Sequence, residues 1–297
     1  MNFRKQVFER SAPAKINLML AITGTRPDGF HNLVSLVVPI PGLCDDLKMR
    51  VCEDATRDSL ACNMPGVPLD GSNLVLRAAE AFRARVPEFP FVHFDLEKRI
   101  PHGAGLGGGS SDAATAILLM AEAAGSRSPS AEVLREIAAE IGSDCPLFLV
   151  GEPLIMRGRG ELTEKLTEAE KRAVSEKRFL IFKPAFGVST AEAYGAMKRE
   201  APTYYTPENI AEEKLLAWRK NPTGTPLPLF NDMEQPVFKK HLALPSLFGI
   251  LRERFGINPH MSGSGSACFA EIPEGEDLSA IVACVRECWG ETAFVAY

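Results

Sequence analysis

The chain has no apolar run near the roughly 20 residues that a membrane-crossing helix requires, so no membrane role is expected of it. Residues Met1 to Arg10 hold nothing like the apolar core of a secretory signal. Basic residues are not in excess: 33 Lys and Arg stand against 38 Asp and Glu, a formal charge of −5. General nucleic-acid binders carry a basic stripe, so that class drops out, while a local basic pocket for a small phosphorylated ligand stays open. The seven cysteines (Cys44, Cys52, Cys62, Cys145, Cys268, Cys284 and Cys288) form no C-x-x-C pair and are odd in number. They read as free thiols of a reducing compartment, not as a disulfide frame. Cys284 and Cys288, one helical turn apart with no histidine nearby, read as buried helix positions and not as metal ligands. There is no internal repeat. No lysine follows the main glycine cluster, which excludes the G-x-x-x-x-G-K-[ST] phosphate loop.

What is present is the composition of a soluble globular protein, 45% hydrophobic and 24% charged, over 297 residues. That length suits one large domain or two ordinary ones. The stretch from Pro101 to Asp112 is the most informative, with five glycines in the seven positions 103–109 and then Ser110 and Ser111. Glycine accepts positive φ and lets main-chain N–H groups approach a ligand closely. Such groups followed by a helix N-terminus make a phosphate site. Gly103, Gly105 and Gly108 also satisfy G-x-G-x-x-G, but a dinucleotide fold needs an acidic residue about 20 positions on. The segment Gly125–Pro129 stands there instead, a loop opening another helix. A flexible linker fits poorly between the strand-like Phe91 to Leu96 and the alanine-rich helix running to about Ala124.

Elsewhere the first forty residues read as β. Ile16, Leu18, Leu20 and Ile22 alternate with Lys15, Asn17 and Met19, which places Lys15 and Asn17 side by side on the other face of one strand. Arg26-Pro27-Asp28-Gly29 is a turn, Leu33 to Val38 the returning strand, and Val51 to Ala61 a further strand region. Leu74 to Arg85 reads as a helix capped by Ser72 or Asn73. Ser128 before Pro129 reads as the cap of the next helix, which Gly142 ends. Leu147 to Val150 is a short buried strand candidate. The polar stretch 158–167 marks a domain boundary, giving 1–163 and 164–297. Phe179 to Phe182 begins a second block, Pro222 to Pro228 is a loop, and Leu242 to Phe255 is a helix. The glycine-rich turn Met261 to Ser266 leads into a strand from Ala267 to Ile272. This order suggests two α+β domains with mixed or antiparallel sheets.

Phosphoryl transfer needs a held triphosphate, charge neutralisation and an activated acceptor in line with the γ-phosphate. Ser110 or Ser111 at the loop–helix junction could hold Mg²⁺ or phosphate oxygens, with helix capping as the alternative for one of them. Asp144, in Gly142-Ser143-Asp144-Cys145-Pro146, is the best candidate for a base, although spacing alone favours a cap there. Lys15 by itself would be a solvated edge-strand lysine.

Several motifs together resemble the GHMP kinases. They are Ala12-Pro13-Ala14-Lys15-Ile16-Asn17-Leu18, Thr23 to His31 with Asp28-Gly29-Phe30-His31, Asn73 to Ala79, the glycine loop, Gly142 to Phe148, Phe186 to Tyr194, Asn231-Asp232-Met233-Glu234 and Met261 to Ala267. The resemblance spans nearly the whole chain. The glycine loop marks the superfamily. The D-G-[YF]-H and Asn-Asp-x-Glu elements point to the member whose substrate is a sugar-alcohol phosphate carried on cytidine diphosphate, in the non-mevalonate isoprenoid pathway.

The resemblance implies an N-terminal domain of the ribosomal protein S5 domain 2 type and a ferredoxin-like C-terminal domain. It implies ATP and Mg²⁺, and a cytoplasmic enzyme, monomer or homodimer, acting on a small molecule. Asp144 falls on the family's catalytic base and Lys15 on the lysine beside it. Pro101, Gly103, Gly105, Leu106, Gly107, Gly108, Gly109, Ser110 and Ser111 fall on the nucleotide loop, with Asn73 and Lys98 around the adenine. Asn17 falls near the reacting hydroxyl. His31 matches the residue that hydrogen-bonds cytosine, Phe30 an aromatic that stacks on that base and Tyr194 the aromatic on the base's other side, and Gly263, Ser264 and Gly265 match a loop closing on the site. The family usually has tyrosine at the position of Phe30; stacking needs the ring and not the hydroxyl. The alternatives are a homoserine or mevalonate type of kinase, which the Phe30–His31 element disfavours, and a nucleotide-binding sensor, which would have lost Asp144 or Lys15.

Overall fold

Period-two alternation at the start of the chain and apolar stripes later produce a mixed α+β structure. The computed structural model describes residues 7–297; the first six, part of the segment read above for a signal, lie outside the described residues. The chain runs β1 (Val7–Thr25), β2 (His31–Val51), β3 (Ser59–Cys62), α1 (Leu74–Arg85), β4 (Val92–Glu97), α2 (Gly108–Ala124), α3 (Ala131–Ile141) and α4 (Cys145–Val150). It continues through β5 (Leu154–Gly158), β6 (Leu162–Lys165), α5 (Glu168–Ser175), β7 (Phe179–Lys183), α6 (Thr190–Arg199), α7 (Glu208–Arg219) and β8 (Phe230–Asn231). Last come α8 (Glu234–Lys240), α9 (Ala243–Phe255), β9 (His260–Met261), β10 (Cys268–Glu271), α10 (Leu278–Trp289) and β11 (Phe294–Ala296). Among the described residues no helix is long and apolar enough to cross a membrane.

Packing divides the chain into two units that interleave along the sequence, so β1 and β2 each contribute to both. The first unit takes the described residues up to Ala14, then Pro39–His102 and Gly107–Glu152. In it the far half of β2 pairs antiparallel with β4, from Asp46 opposite Glu97 to Val51 opposite Val92, and β3 lies parallel to β4. Buried Leu47, Met49, Phe82, Phe94, Ile117 and Met120 form its core. Alanines at 113, 116, 123 and 124 are buried in the same core, where α2 packs on α1 and α4.

The second unit takes Lys15–Val38, Gly103–Leu106 and Pro153–Tyr297. Here the near half of β2 pairs antiparallel with β5, β5 forms a hairpin with β6, and β1 lies parallel to β8, Leu20 opposite Asn231. A second, antiparallel sheet has the order β11-β7-β10-β9. Leu20, Ile22, Phe182, Met197, Leu247, Phe248, Leu251 and Ile281 are buried together in its core.

Local structure departs from the sequence expectations at several points. The strand expected within Val51–Ala61 is two things: β2 ends at Val51, the polar segment 52–58 leaves the sheet, and β3 spans Ser59–Cys62. Leu147 to Val150 is helix and not strand, because four apolar residues fit either period. Pro146 in the first turn is compatible with a helix start, and Gly151 closes it with φ +67°. The cap of α3 is Ser130, whose side chain accepts from the Val133 N–H, and not Ser128. Ser128 instead ends the turn 125–127, donating its N–H to the Gly125 carbonyl, and α3 begins only at Ala131. Neither Ser110 nor Ser111 caps α2; the cap position is Gly107 in the left-handed region. Cys284 is buried as expected, but Cys288 is exposed, since an i,i+4 pair shares a face without sharing its depth.

Candidate functional site

The alternation at the head of the chain places Lys15 and Asn17 on one face of β1, and the structure shows them bonded: Lys15 Nζ donates to Asn17 Oδ1 at 2.6 Å. Far from being a solvated edge lysine, Lys15 is 4% exposed. Its ammonium also donates to the Gly105 carbonyl at 2.9 Å, and its backbone N–H to the Leu106 carbonyl at 2.9 Å. Asn17 passes the chain of bonds on, Nδ2 donating to Ser35 Oγ, which donates to the Met19 carbonyl.

The turn 261–266 closes on the same residues. Ser262 Oγ donates to the Gly105 carbonyl at 3.0 Å, and the Ala267 N–H donates to the Ala104 carbonyl at 3.0 Å. Gly263 has φ +56°, and a Cβ there would lie 3.4 Å from Lys15 Nζ and 3.5 Å from Asn17 Oδ1. Ser264 Oγ is 2.8 Å from Thr190 Oγ1, and the Gly265 N–H donates to the Ser262 carbonyl. Of the residues named from sequence, Lys15, Asn17, Gly105, Leu106, Gly263, Ser264 and Gly265 are therefore brought together in one place. Ser35 and Ser262 were not singled out; a lone serine gives no signal without a partner in space.

A second group lies in the same unit. The His31 ring sits 5.0 Å from the Tyr194 ring at 36°, and 5.9 Å, edge-on, from Tyr205. His31 Nε2 is buried without a hydrogen-bond partner. Burial, with Lys198 nearby, holds its pKa below the usual 6.5, and one buried nitrogen is open to a polar ligand. Phe30 is 52% exposed, with the Arg159 guanidinium 5.4 Å from its ring centre. The turn that presents it is held by Asp28, whose Oδ1 accepts the Phe30 N–H at 3.1 Å. Tyr205 was missed from sequence. Its neighbour Tyr204 is buried while its own hydroxyl meets Thr25 Oγ1 at 2.8 Å, a division that adjacency in sequence does not reveal.

In the first unit, α2 opens on the last three glycines. Gly107 takes φ +71° and Ser111 donates its N–H to the Gly107 carbonyl, which leaves the N–H groups of Gly108, Gly109 and Ser110 without helical acceptors. A Cβ at Gly108 would lie 3.0 Å from Ile100 Cγ2 and 3.1 Å from Lys98 Nζ. Ser111 Oγ is buried and unpartnered. An uncapped 17-residue helix, a glycine cradle and an orphan hydroxyl fit an anionic, phosphate-bearing group. Magnesium keeps waters and phosphate oxygens and needs few protein ligands. Ser110 and Ser111 are the hydroxyls at this junction. Among the described residues no cluster of three or more His, Cys, Asp or Glu is arranged for a metal.

Lys98 is not a solvated strand end either. Its ammonium is buried between Asp45 and Asp112, 2.8 Å from Asp112 Oδ2. Asp45 Oδ1 also accepts the N–H groups of Arg99 and Ile100. Burial pushes the Asp112 carboxyl up to about 7, Lys98 opposing and the Asp45 charge adding to the shift. Burial acts to lower Lys98, but the two carboxylates outweigh it and its pKa is raised. Asp45 and Asp112 were also missed; Asp112 was visible as a charge in a helix start otherwise made of small residues. Asn73 caps α1, accepting the Val75 N–H at 2.9 Å while Nδ2 donates to the Pro68 carbonyl. Asp144 occupies the cap position of α4, but its side chain makes no capping bond, so the alternative favoured by spacing does not hold. Ser110 bonds the thiol of Cys145, which burial pushes up to about 12.

Residues 73–152 match the model of the GHMP kinases N terminal domain. A relative from Polaromonas naphthalenivorans (strain CJ2), "4-diphosphocytidyl-2-C-methyl-D-erythritol kinase", is 37% identical over 286 residues, covering 93% of this chain and 89% of its own length. A chloroplastic protein of the same name from Oryza sativa subsp. japonica is 36% identical over 86% of this chain, which spans 62% of that relative's length. The crystal structure of a 4-(cytidine 5'-diphospho)-2C-methyl-D-erythritol kinase superposes with a TM-score of 0.74 at 32% identity, covering 97% of this chain and 98% of that one.

Proposed function

The chain belongs to the 4-diphosphocytidyl-2-C-methyl-D-erythritol kinase family, a branch of the GHMP phosphotransferases, and from that membership we propose that it moves the γ-phosphoryl group of ATP to the 2-hydroxyl of 4-diphosphocytidyl-2-C-methyl-D-erythritol. The observation that carries this reading is the buried Lys15 ammonium, held on Asn17 and on the carbonyl of Gly105 in the glycine loop. A desolvated cation fixed to a phosphate-type loop is placed to stabilise charge on a transferring phosphoryl group.

Asp144 is the proposed general base, taking the proton from the substrate hydroxyl. Lys15 is the proposed electrostatic partner of the reaction, and Asn17 orients its ammonium. ATP with Mg²⁺ supplies the phosphoryl group and neutralises charge on its oxygens when bound. Gly103, Gly105, Leu106, Gly107, Gly108 and Gly109, after Pro101, offer main-chain N–H groups and close approach to the phosphates. Ser110 or Ser111 is proposed to face the metal. Asn73 and Lys98 are proposed near the adenine. Their side chains are engaged in the cap and in the Asp45–Asp112 pair, so they contribute the shape of the segments they pin. His31, Phe30 and Tyr194 are proposed to grip the cytosine, His31 through its unpartnered nitrogen. Gly263, Ser264 and Gly265 are proposed to close over the substrate.

The same proposal takes 1–163 as the nucleotide-binding domain and 164–297 as the C-terminal GHMP kinase domain. It takes the cytoplasm as the setting, and a monomer or homodimer as the working form. The test is ADP release, coupled to an optical readout, with the cytidine-diphosphate substrate against mevalonate, homoserine and galactose. Turnover of the first above the other three is expected. No preference among them refutes the assignment.

A further inference from the structure

The Asn231-Asp232-Met233-Glu234 element has no part in the reaction just described, yet each of its polar side chains is hydrogen-bonded. Asn231 is 5% exposed and lies on β8 opposite Leu20 of β1. Its Nδ2 donates to the carbonyls of Met261 at 2.7 Å and Gly263 at 2.8 Å, and its Oδ1 accepts the Met233 N–H at 2.9 Å. Glu234 Oε1 accepts the Met261 N–H at 2.8 Å. Asp232 accepts the N–H groups of Ile22 and Thr206 and the Thr206 hydroxyl. The element thus ties the end of β1, the segment at Thr206 and the turn 261–265 together.

Filling space on β8 needs no amide. An aliphatic side chain packs there without desolvating polar atoms, which is costly unless each finds a partner. Only an amide offers two donors and an acceptor from one short side chain, and both donors go to the turn. That turn keeps local bonds of its own, from the Ser262 N–H to the Ala267 carbonyl and from the Gly265 N–H to the Ser262 carbonyl. Those bonds give it shape but not position. Its position matters because Gly263 faces Lys15 and Asn17, and Ser262 Oγ shares the Gly105 carbonyl with the Lys15 ammonium.

We propose that Asn231 is a positioning residue for phosphoryl transfer, setting the placement of the turn 261–265 against Lys15 and the Gly105 carbonyl. This rests on reading Lys15 and Gly263–Gly265 as parts of the active site. Asn231→Asp keeps the shape and the acceptor, and sets a carboxylate oxygen against two carbonyls. Asn231→Ser removes the paired donors without adding charge, and serves if the first variant does not fold.

Two measurements decide it. In hydrogen exchange, the Ala267 amide of the folded variants, which donates to the Ala104 carbonyl of the glycine loop, should exchange at least tenfold faster, with the amides of α9 unchanged. In kinetics, kcat per folded molecule should fall at least tenfold while KM for the cytidine substrate stays within twofold. A purely structural asparagine would lower the folded fraction and leave kcat per folded molecule alone. Unchanged exchange overturns the inference, and so does faster exchange with wild-type kcat. If the wild-type chain phosphorylates nothing in the substrate panel, the proposed function falls, and unchanged or faster exchange still decides whether Asn231 tethers the turn.

Discussion

Gly105→Ala probes the interlock between the glycine loop and the turn 261–266. Gly105 has φ +77°, and a side chain in the left-handed region costs about 1–2 kcal/mol. The new Cβ would also run into the Ser262 carbonyl, so one of the two segments must retreat. Retreat breaks the bond from Ser262 Oγ to the Gly105 carbonyl and that from Lys15 Nζ to the same oxygen. A neutral hydrogen bond contributes about 0.5–1.5 kcal/mol and a charged one about 1.5–3 kcal/mol. Together these terms come to about 3–6.5 kcal/mol of lost stability. Gly103→Ala is the matched control: φ is +62° there too, but its Cβ would meet nothing within 4 Å, so only the strain of about 1–2 kcal/mol remains. Urea unfolding of the two variants measures the difference. Equal losses would refute the claim that the turn and the loop are packed backbone to backbone.

Asp144→Asn should retain ATP binding by calorimetry and lose at least roughly a hundredfold in kcat; near-normal turnover removes Asp144 from the mechanism. Lys98→Met leaves Asp45 and Asp112 buried without their shared cation and should cost about 3–5 kcal/mol by chemical denaturation. Adding Asp112→Asn should recover part of that loss, and strict additivity of the two substitutions would argue against the pairing. His31 has a folded pKa depressed below 6.5, so the unfolded chain takes up its proton more readily than the folded one. The stability it contributes is present above pH 6.5 and is lost as pH falls through the depressed value. In urea titrations, His31→Gln should flatten the decline in stability between pH 6.5 and 5, and an unchanged slope would place that decline on another group.

Most elements with a clear period were legible. α1, α2 and α9 lie where the sequence places helices, and the strand face pairing Lys15 with Asn17 follows from alternation alone. The failures share a cause. Leu147 to Val150 is too short for its period to tell strand from helix, and the α3 cap shifted because Ser128 ends the preceding turn and the helix begins only at Ala131. Phe30 and Tyr194 were read as the aromatics on either side of the cytosine, and the contact of Tyr194 and the unanticipated Tyr205 with the His31 ring was not foreseen. A sequence shows that an aromatic exists, not which of several neighbours reaches a given ring.

The sequence by itself determined the chemistry on offer: a glycine loop without the P-loop lysine, a lysine and an asparagine on one strand face, and motifs that place the chain among the GHMP kinases. Those follow from residue type and short spacing, which act over a few positions of backbone. Only the tertiary structure decided what each group is bonded to. Lys15 meets a carbonyl 90 residues away, Asn17 meets Ser262 across 245, and Lys98 is enclosed by Asp45 and Asp112. The physical reason is desolvation. A buried charge or amide must find partners wherever the fold brings them, and periodicity carries no record of those distances.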